Sequence, residues 1–236
     1  GTDTAHKLAI LVQIAFGADL KLSDIPLQGI DRLQSADIRY ADELGYSIKL
    51  LAKARLTQGQ IELSVAPTLV RQGTPLAEVR GAYNAIRVVG DVVGDTLFYG
   101  QGAGPSATAS AVVGDLIDVV VGRARMTFDA CNLWPQDAPR PRLASSEQVR
   151  NRYYLRFTIA DRPGVLAAIA QILGQEKISI ASVIQHDPGD DDHPESPVPL
   201  ILMTHSAVQA RMQAALAQID QLDAVKAPSV CLGVEE

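Results

Sequence analysis

The order of hydrophobic periods between Arg152 and Val234 restricts the fold more than any other feature of this chain. Arg152 to Ile159 reads as a strand and Ala160-Asp161-Arg162-Pro163-Gly164 as a turn. Val165 to Leu173 follows as a helix with Leu166, Ile169, Ala170 and Leu173 on one face. Ile178 to Gln185 is a second strand. An acidic loop from His186 to Pro197, with five acids and three prolines, leads to a third strand at Val198 to Thr204. Ser206 with Gln209 supplies a capping box for a helix running to Asp220, and Val225 to Val234 closes the unit. Strand, helix, strand, strand, helix, strand is the split ferredoxin-like order, with two helices on one sheet face and the other face bare. A bare apolar face finds a partner, so self-association is expected.

Trp134-Pro135-Gln136-Asp137-Ala138-Pro139-Arg140-Pro141-Arg142 puts three prolines within seven residues, which forbids regular structure. The chain is therefore expected to divide into residues 1–133, a linker at 134–150 and residues 151–236. In the first segment Leu8, Leu11, Val12 and Ala15 recur at helical spacing until Gly17. With no initiator Met and a helix already under way, the sequence reads as a fragment whose amino-terminal portion is absent. Ser35 is expected to cap a short helix ending at Gly45. Tyr46 to Ala54 follows as a strand with Ile48, Leu50, Ala52 and Ala54 on one face. A turn at Gln58-Gly59 returns the chain through Ile61, Leu63 and Val65. Asn84 to Val89 and Thr96 to Tyr99 form a further pair of strands around Gly90-Asp91-Val92-Val93-Gly94-Asp95. Connections this short leave no room for crossover helices. A glycine loop, Gly100-Gln101-Gly102-Ala103-Gly104-Pro105, then opens a helix from Ser106 to Arg123. The expected class is α+β: a mainly antiparallel sheet with helices on one face, followed by the ferredoxin-like βαββαβ unit.

Composition narrows the partners. With 27 acids against 21 bases and a net charge of -6, the chain lacks the cation surplus that neutralises phosphates, so no nucleic acid is expected. No apolar run reaches the length of a membrane span, since Leu8 to Phe16 is broken by Gln13. No basic segment precedes that run, as a secretory signal would require. Cys131 and Cys231 stand far apart without ligand spacing, which suits reduced core thiols in a cytoplasmic protein. His186, Asp187, Asp190 to Asp192, His193 and Glu195 have the composition of a metal site, but Pro188, Gly189 and Pro194 among them favour a solvated hairpin, and no metal is expected.

Two resemblances follow from longer motifs. Tyr154-Leu155-Arg156-Phe157-Thr158-Ile159-Ala160-Asp161-Arg162-Pro163-Gly164-Val165-Leu166, followed by Ile178-Ser179-Ile180-Ala181-Ser182-Val183, resembles an ACT domain, the amino-acid-binding regulatory module of biosynthetic enzymes. The resemblance implies an effector site at Asp161, Arg162, Pro163, Gly164, Val165 and Leu166, where amides at a helix start receive a carboxylate. The other reading of that turn is packing of helix on strand alone. The first segment resembles the catalytic region of homoserine dehydrogenase in three blocks: Gly1 to Leu11, then Gly29-Ile30-Asp31 with Ala41 to Leu51, then Gly100 to Leu116. Members of that family carry a nicotinamide-binding Rossmann domain ahead of this region. Here Gly100 to Gly104 gives only G-x-G-x-G, without the remaining glycine of the dinucleotide fingerprint.

Asp3 and Lys7 stand four apart, on one helical face. Spacing alone makes them a solvated surface pair. The resemblance makes Lys7 the acid/base that protonates the aldehyde oxygen, and Asp3 the group that holds the substrate ammonium or orients Lys7. It also implies that backbone at Gly100, Gly102, Ala103 and Gly104 approaches the cofactor, NADP or NAD, which would be bound mainly by the absent domain. The alternative for that loop is a tight turn from sheet into helix. His6 is expected at the surface and Cys131 in the core. The implied reaction interconverts L-aspartate 4-semialdehyde and L-homoserine in threonine and methionine biosynthesis. The implied partners are that small-molecule substrate, a threonine effector and a second copy, as a homo-oligomeric dimer or tetramer. On this reading the chain alone is inactive. The alternative is a non-catalytic regulatory and oligomerisation module that binds an amino acid.

Overall fold

The computed structural model describes residues 1–18, 20–131, 141–185 and 197–235. Much of the expected linker and the acidic loop with its metal-like composition lie outside the described residues. Among those described, no group of His, Cys, Asp and Glu is placed to hold a metal ion, and no single helix is long and apolar enough to cross a membrane.

Helix α1 (Thr2–Phe16) ends where Gly17 adopts φ 63 and donates its N–H to the Gln13 carbonyl, a conformation that glycine reaches without steric cost. Its buried face is Ala5, Leu8 and Val12, packed on Ile61, Leu63 and Val65. Leu11 and Ala15, expected on that face, are exposed. Helix α2 (Ser35–Glu43) is capped by Gln34, not Ser35: the Gln34 N–H donates to the Asp37 carboxylate at 2.9 Å. Strands β1 (Tyr46–Thr57) and β2 (Gln60–Arg71) pair antiparallel over their whole length. Gln58 and Gly59, at φ 51 and 75, make the two-residue turn between them. Strands β3 (Tyr83–Gly90) and β4 (Gly94–Gln101) form a separate two-stranded sheet. The helix expected over Ser106 to Arg123 is two helices, α3 (Pro105–Val120) and α4 (Arg123–Cys131), bent by 83°. Gly122, at φ 79, makes the break. Cys131, expected in the core, is exposed at the end of α4.

The second segment follows the expected order: β6 (Arg150–Ala160), α5 (Val165–Gln175), β7 (Ile180–Ile184), β8 (Pro197–Thr204), α6 (Gln209–Ile219) and β10 (Val225–Glu235). Short strands β5 (Arg142–Leu143) and β9 (Ala207–Val208) flank β2 and β6. The Ser206 capping box does not form. Residue 208 is the N-cap, and the Gln209 and Ala210 amides are met by the Val149 and Ser146 carbonyls. The buried face of α5 is Val165, Ile169 and Leu173, whereas Leu166, expected there, points outward. Phe157, Leu155, Leu200 and Leu202 pack with α5 and α6 in a core on one side of the sheet.

The two segments share one sheet, in the order β1-β2-β10-β6-β8-β7. β10 joins β2 in parallel, with Gly233 opposite Thr68 and Val234 opposite Leu69, while its other edge pairs antiparallel with β6. Helices α1 and α2 lie on one face and α5 and α6 on the other. The face beyond α5 and α6, expected bare, is thus covered in part within the chain. Tyr40 and Ala41 of α2, with Leu33 and Leu44 on either side of it, pack against Tyr154, Ile201, Met203, Val230 and Leu232.

Candidate functional site

The three stretches singled out in sequence occupy three places. On α1 the Lys7 ammonium and Asp3 carboxylate meet at 2.8 Å, with Lys7 61% and Asp3 81% exposed. Burial of Ala5 and Leu8 on β2 turns this face of the helix outward. The Lys7 ammonium holds the Asp3 carboxyl below the usual carboxylate range, chiefly by the hydrogen bond between them. His6 is exposed beside it, as expected. The amino end of α1 abuts a segment that sequence reading left unassigned. Gln28 N–H donates to Val65 O at 2.8 Å, and Val65 N–H donates to Pro26 O at 2.9 Å, so residues 26–28 run along β2. A Cβ at Gly1 would lie 3.3 Å from Val65 Cγ1 and 3.5 Å from Leu27. Gly29 and Asp31 of the second family-like block therefore follow directly from a segment touching the start of α1. The Asp31 carboxylate folds over Gly29, 2.5 Å from where a Cβ would stand. Such long-range pairing leaves no periodic signal in a three-residue stretch.

The glycine loop continues from β4. Gly102 N–H donates to Ala82 O at 3.1 Å, which draws the loop back along β3. Gly104 caps α3 at φ 118 and ψ 151, a conformation that other residues rarely adopt. Gly100, Gly102, Ala103 and Gly104 are all exposed. A Cβ at Gly102 would fall 1.2 Å from Asn84 Nδ2, so this position admits only glycine while Asn84 keeps its place. Tyr83 and Tyr99 stack beside the loop with ring centroids 4.9 Å apart and planes 5° from parallel. Among the described residues no hydrogen bond or ion pair joins this loop to Asp3 or Lys7.

In the turn from β6 to α5, Gly164 takes φ 91 as the N-cap of α5. Asp161 accepts from Gln185 Nε2 at 3.1 Å, and Arg162 pairs with Asp223 at 2.7 Å. Pro163 is exposed, Val165 is buried in the core and Leu166 stands free of it.

A fourth group was not anticipated. Asp37, fully buried on the first turn of α2, accepts from Arg156 Nε at 2.6 Å, Arg156 Nη2 at 3.2 Å and Tyr154 Oη at 3.1 Å. Arg156 and Tyr154 belong to β6, so a charged clamp fastens the first segment to the centre of the second. Burial, reinforced by the Asp37 carboxylate, pushes the Tyr154 phenol above its usual range. At the far end of the β3–β4 hairpin, a cleft of about 350 Å³ is lined by Arg87, Asp95 and Glu235 among others. Arg87 there is already bound bidentately by Asp95 at 2.7 Å.

Chemically, α1 presents a solvent-facing ammonium held beside a carboxylate. The glycine loop presents open backbone, and the 161–166 turn presents a helix start. Comparison with known proteins places these arrangements among relatives. Residues 1–117 match the homoserine dehydrogenase family model and residues 153–224 the ACT domain model. The homoserine dehydrogenase of Pseudomonas aeruginosa is 45% identical over 242 residues, an alignment spanning 100% of this chain and 54% of the relative. That of Neisseria gonorrhoeae is 41% identical with the same coverage. The crystal structure of a homoserine dehydrogenase from Thiobacillus denitrificans superposes with a TM-score of 0.82 at 41% identity, over 100% of this chain and 53% of that one. The chain spans about half the length of the curated relatives it matches.

Proposed function

The chain belongs to the homoserine dehydrogenase family through residues 1–117 and carries an ACT domain over residues 153–224, and from this premise we propose that it forms the substrate-binding and regulatory half of an oxidoreductase interconverting L-aspartate 4-semialdehyde and L-homoserine. When bound, the nicotinamide of NADP or NAD supplies or takes up the hydride. The glycine loop fits the flat end of such a group: no atom lies within 4 Å of a Cβ built at Gly100 or Gly104, so a planar ring can approach the backbone there.

Lys7 carries the proton part of the reaction. As the carbonyl carbon gains hydride, its oxygen becomes an alkoxide, and Lys7 Nζ–H donates the proton that neutralises it; in the oxidising direction the same nitrogen takes the proton back. Asp3 orients Lys7 through their contact and, once substrate displaces it, pairs with the substrate ammonium. The observation that carries this reading is the exposed Asp3–Lys7 pair on the outward face of α1, within a segment of the matching family. The chain acts in the cytoplasm in threonine and methionine biosynthesis, with an amino-acid effector such as threonine received at the 161–166 turn.

Oligomerisation belongs to the same reading. Helix α3 buries no residue within the chain, and Val112, Val113, Leu116, Ile117 and Val120 stand exposed along it. Apolar surface of this extent is what a second copy covers.

The test is hydride transfer from homoserine to NADP and NAD. The 236-residue chain is expected to show none, and the protein made from the complete open reading frame to show turnover. Lys7→Ala in the latter should lower kcat by roughly a hundredfold or more, with little change in cofactor affinity. An unaltered kcat would return Lys7 to a surface ion pair. Absence of turnover in the complete protein would favour the regulatory module that only binds an amino acid.

A further inference from the structure

The loop end of the β3–β4 hairpin has two unlike faces. In its register Tyr83 lies opposite Gln101, Asn84 opposite Gly100 and Ala85 opposite Tyr99. Side chains alternate across a strand, so one face carries the stacked Tyr83–Tyr99 pair, which stiffens the hairpin. The other face carries Asn84, with glycine as its cross-strand partner and glycine again at position 102. At the loop end of that face Asn84 is the side chain set among glycines, and the Ile86–Phe98 pair comes next along the strands. The setting is specific: a Cβ at Gly102 would overlap the Asn84 amide, at 1.2 Å from Nδ2 and 2.3 Å from Cγ. Yet the amide so carefully admitted makes no hydrogen bond among the described residues, and Asn84 is exposed.

An asparagine amide offers two N–H donors and a carbonyl acceptor side by side. Its complement is another primary carboxamide, which can exchange N–H···O bonds with it in a planar pair. Open glycine backbone beside it accepts the ring to which such a carboxamide is attached. We propose that Asn84, seated over Gly102, binds the carboxamide of the nicotinamide while the ring lies against the open backbone of Gly100, and so sets which way the ring lies. The inference rests on the reading of this loop as the cofactor-facing element.

The test uses protein from the complete open reading frame and measures cofactor dissociation constants by titration calorimetry. The probes are NADPH and its 3-acetylpyridine analogue, in which a methyl ketone replaces the carboxamide. Asn84→Ala should weaken NADPH roughly three- to tenfold, the scale of one or two neutral hydrogen bonds, while changing the analogue's affinity less. The preference for the carboxamide should therefore shrink toward unity. Gly102→Ala, which displaces the amide without removing it, should shrink the preference in the same direction. Unchanged thermal melting would show that either variant remains folded. If both folded variants keep the wild-type preference, Asn84 serves only to shape the hairpin and the inference is overturned. If the wild-type protein binds neither cofactor, the parent reading fails and carries this one with it.

Discussion

Replacing Asp37 by asparagine tests whether the charged clamp between α2 and β6 holds the two segments together. The amide side chain occupies nearly the same volume and retains one oxygen for the Gln34 N–H, so the losses are the charge facing Arg156 and the oxygen that accepts from Arg156 Nε and Tyr154 Oη. Asp37 is fully buried and Arg156 is 5% exposed, so water cannot take the place of the carboxylate. Breaking a buried pair from one side costs about 3–5 kcal/mol, because the remaining ion is left uncompensated. For a chain of this size each kcal/mol lowers Tm by about 2–4 °C, giving a fall of roughly 6–20 °C. Arg156→Met should cost a similar amount by stranding the opposite charge. The double variant should cost much less than the two singles added, since no unpaired ion is left. Thermal and urea unfolding by circular dichroism provide the measurement, at fixed protein concentration because oligomerisation shifts apparent stability. A loss below about 1 kcal/mol for Asp37→Asn, or strict additivity in the double variant, would refute the account of the clamp.

The exposed stripe of α3 yields a second expectation: Leu116→Asp should convert the 236-residue chain from dimer to monomer in light scattering without lowering its helix content. A dimer that persists would place the interface elsewhere. A third concerns alkaline pH. Burial pushes the Tyr153 phenol up from 10.0 to about 12 and the Cys231 thiol up from 9.0 to about 12. The folded state thus favours both protonated forms. Their contribution to stability is complete below about pH 9 and lost as pH rises toward about 12, at about 1.4 kcal/mol per group per pH unit. The urea midpoint should fall over that interval, and Cys231→Ala should reduce the slope; a midpoint flat to about pH 11.5 would contradict this.

The second segment was legible because its signals are local. Period-two and period-3.6 stretches follow one another with recognisable turns, and the order alone names the topology. Gln58-Gly59 and Gly17 were legible for a like reason, since positive φ favours few residue types. Features that depend on distant partners were not. Nothing near Asp37 marks it as buried; it looks like an acid on the first turn of a surface helix until Arg156, 119 positions away, is brought to it. Leu166 follows the helical period as well as Val165 does, and only the seating of α5 on the sheet decides which turns inward. Ser206 lost its expected cap because carbonyls from residues 146 and 149 reach the same amides first. At the candidate site, the Asp3–Lys7 contact could be read from spacing. Asn84 required the hairpin register, which sets it across from Gly100.

The position of β10 imposes an order of events during synthesis. β10 is the last strand of the shared sheet to emerge from the ribosome, yet it lies between β2 and β6, both translated long before. Until it arrives, β2 presents one unpaired edge over the stretch that later receives Gly233 to Glu235, and β6 waits for its antiparallel neighbour. The two segments can collapse separately as they emerge, but they cannot join as one sheet until β10 slides between them. An early stop codon that removes β10 would therefore do more than shorten the ACT unit: it would leave an open strand edge on each half, the kind of surface that recruits other nascent chains.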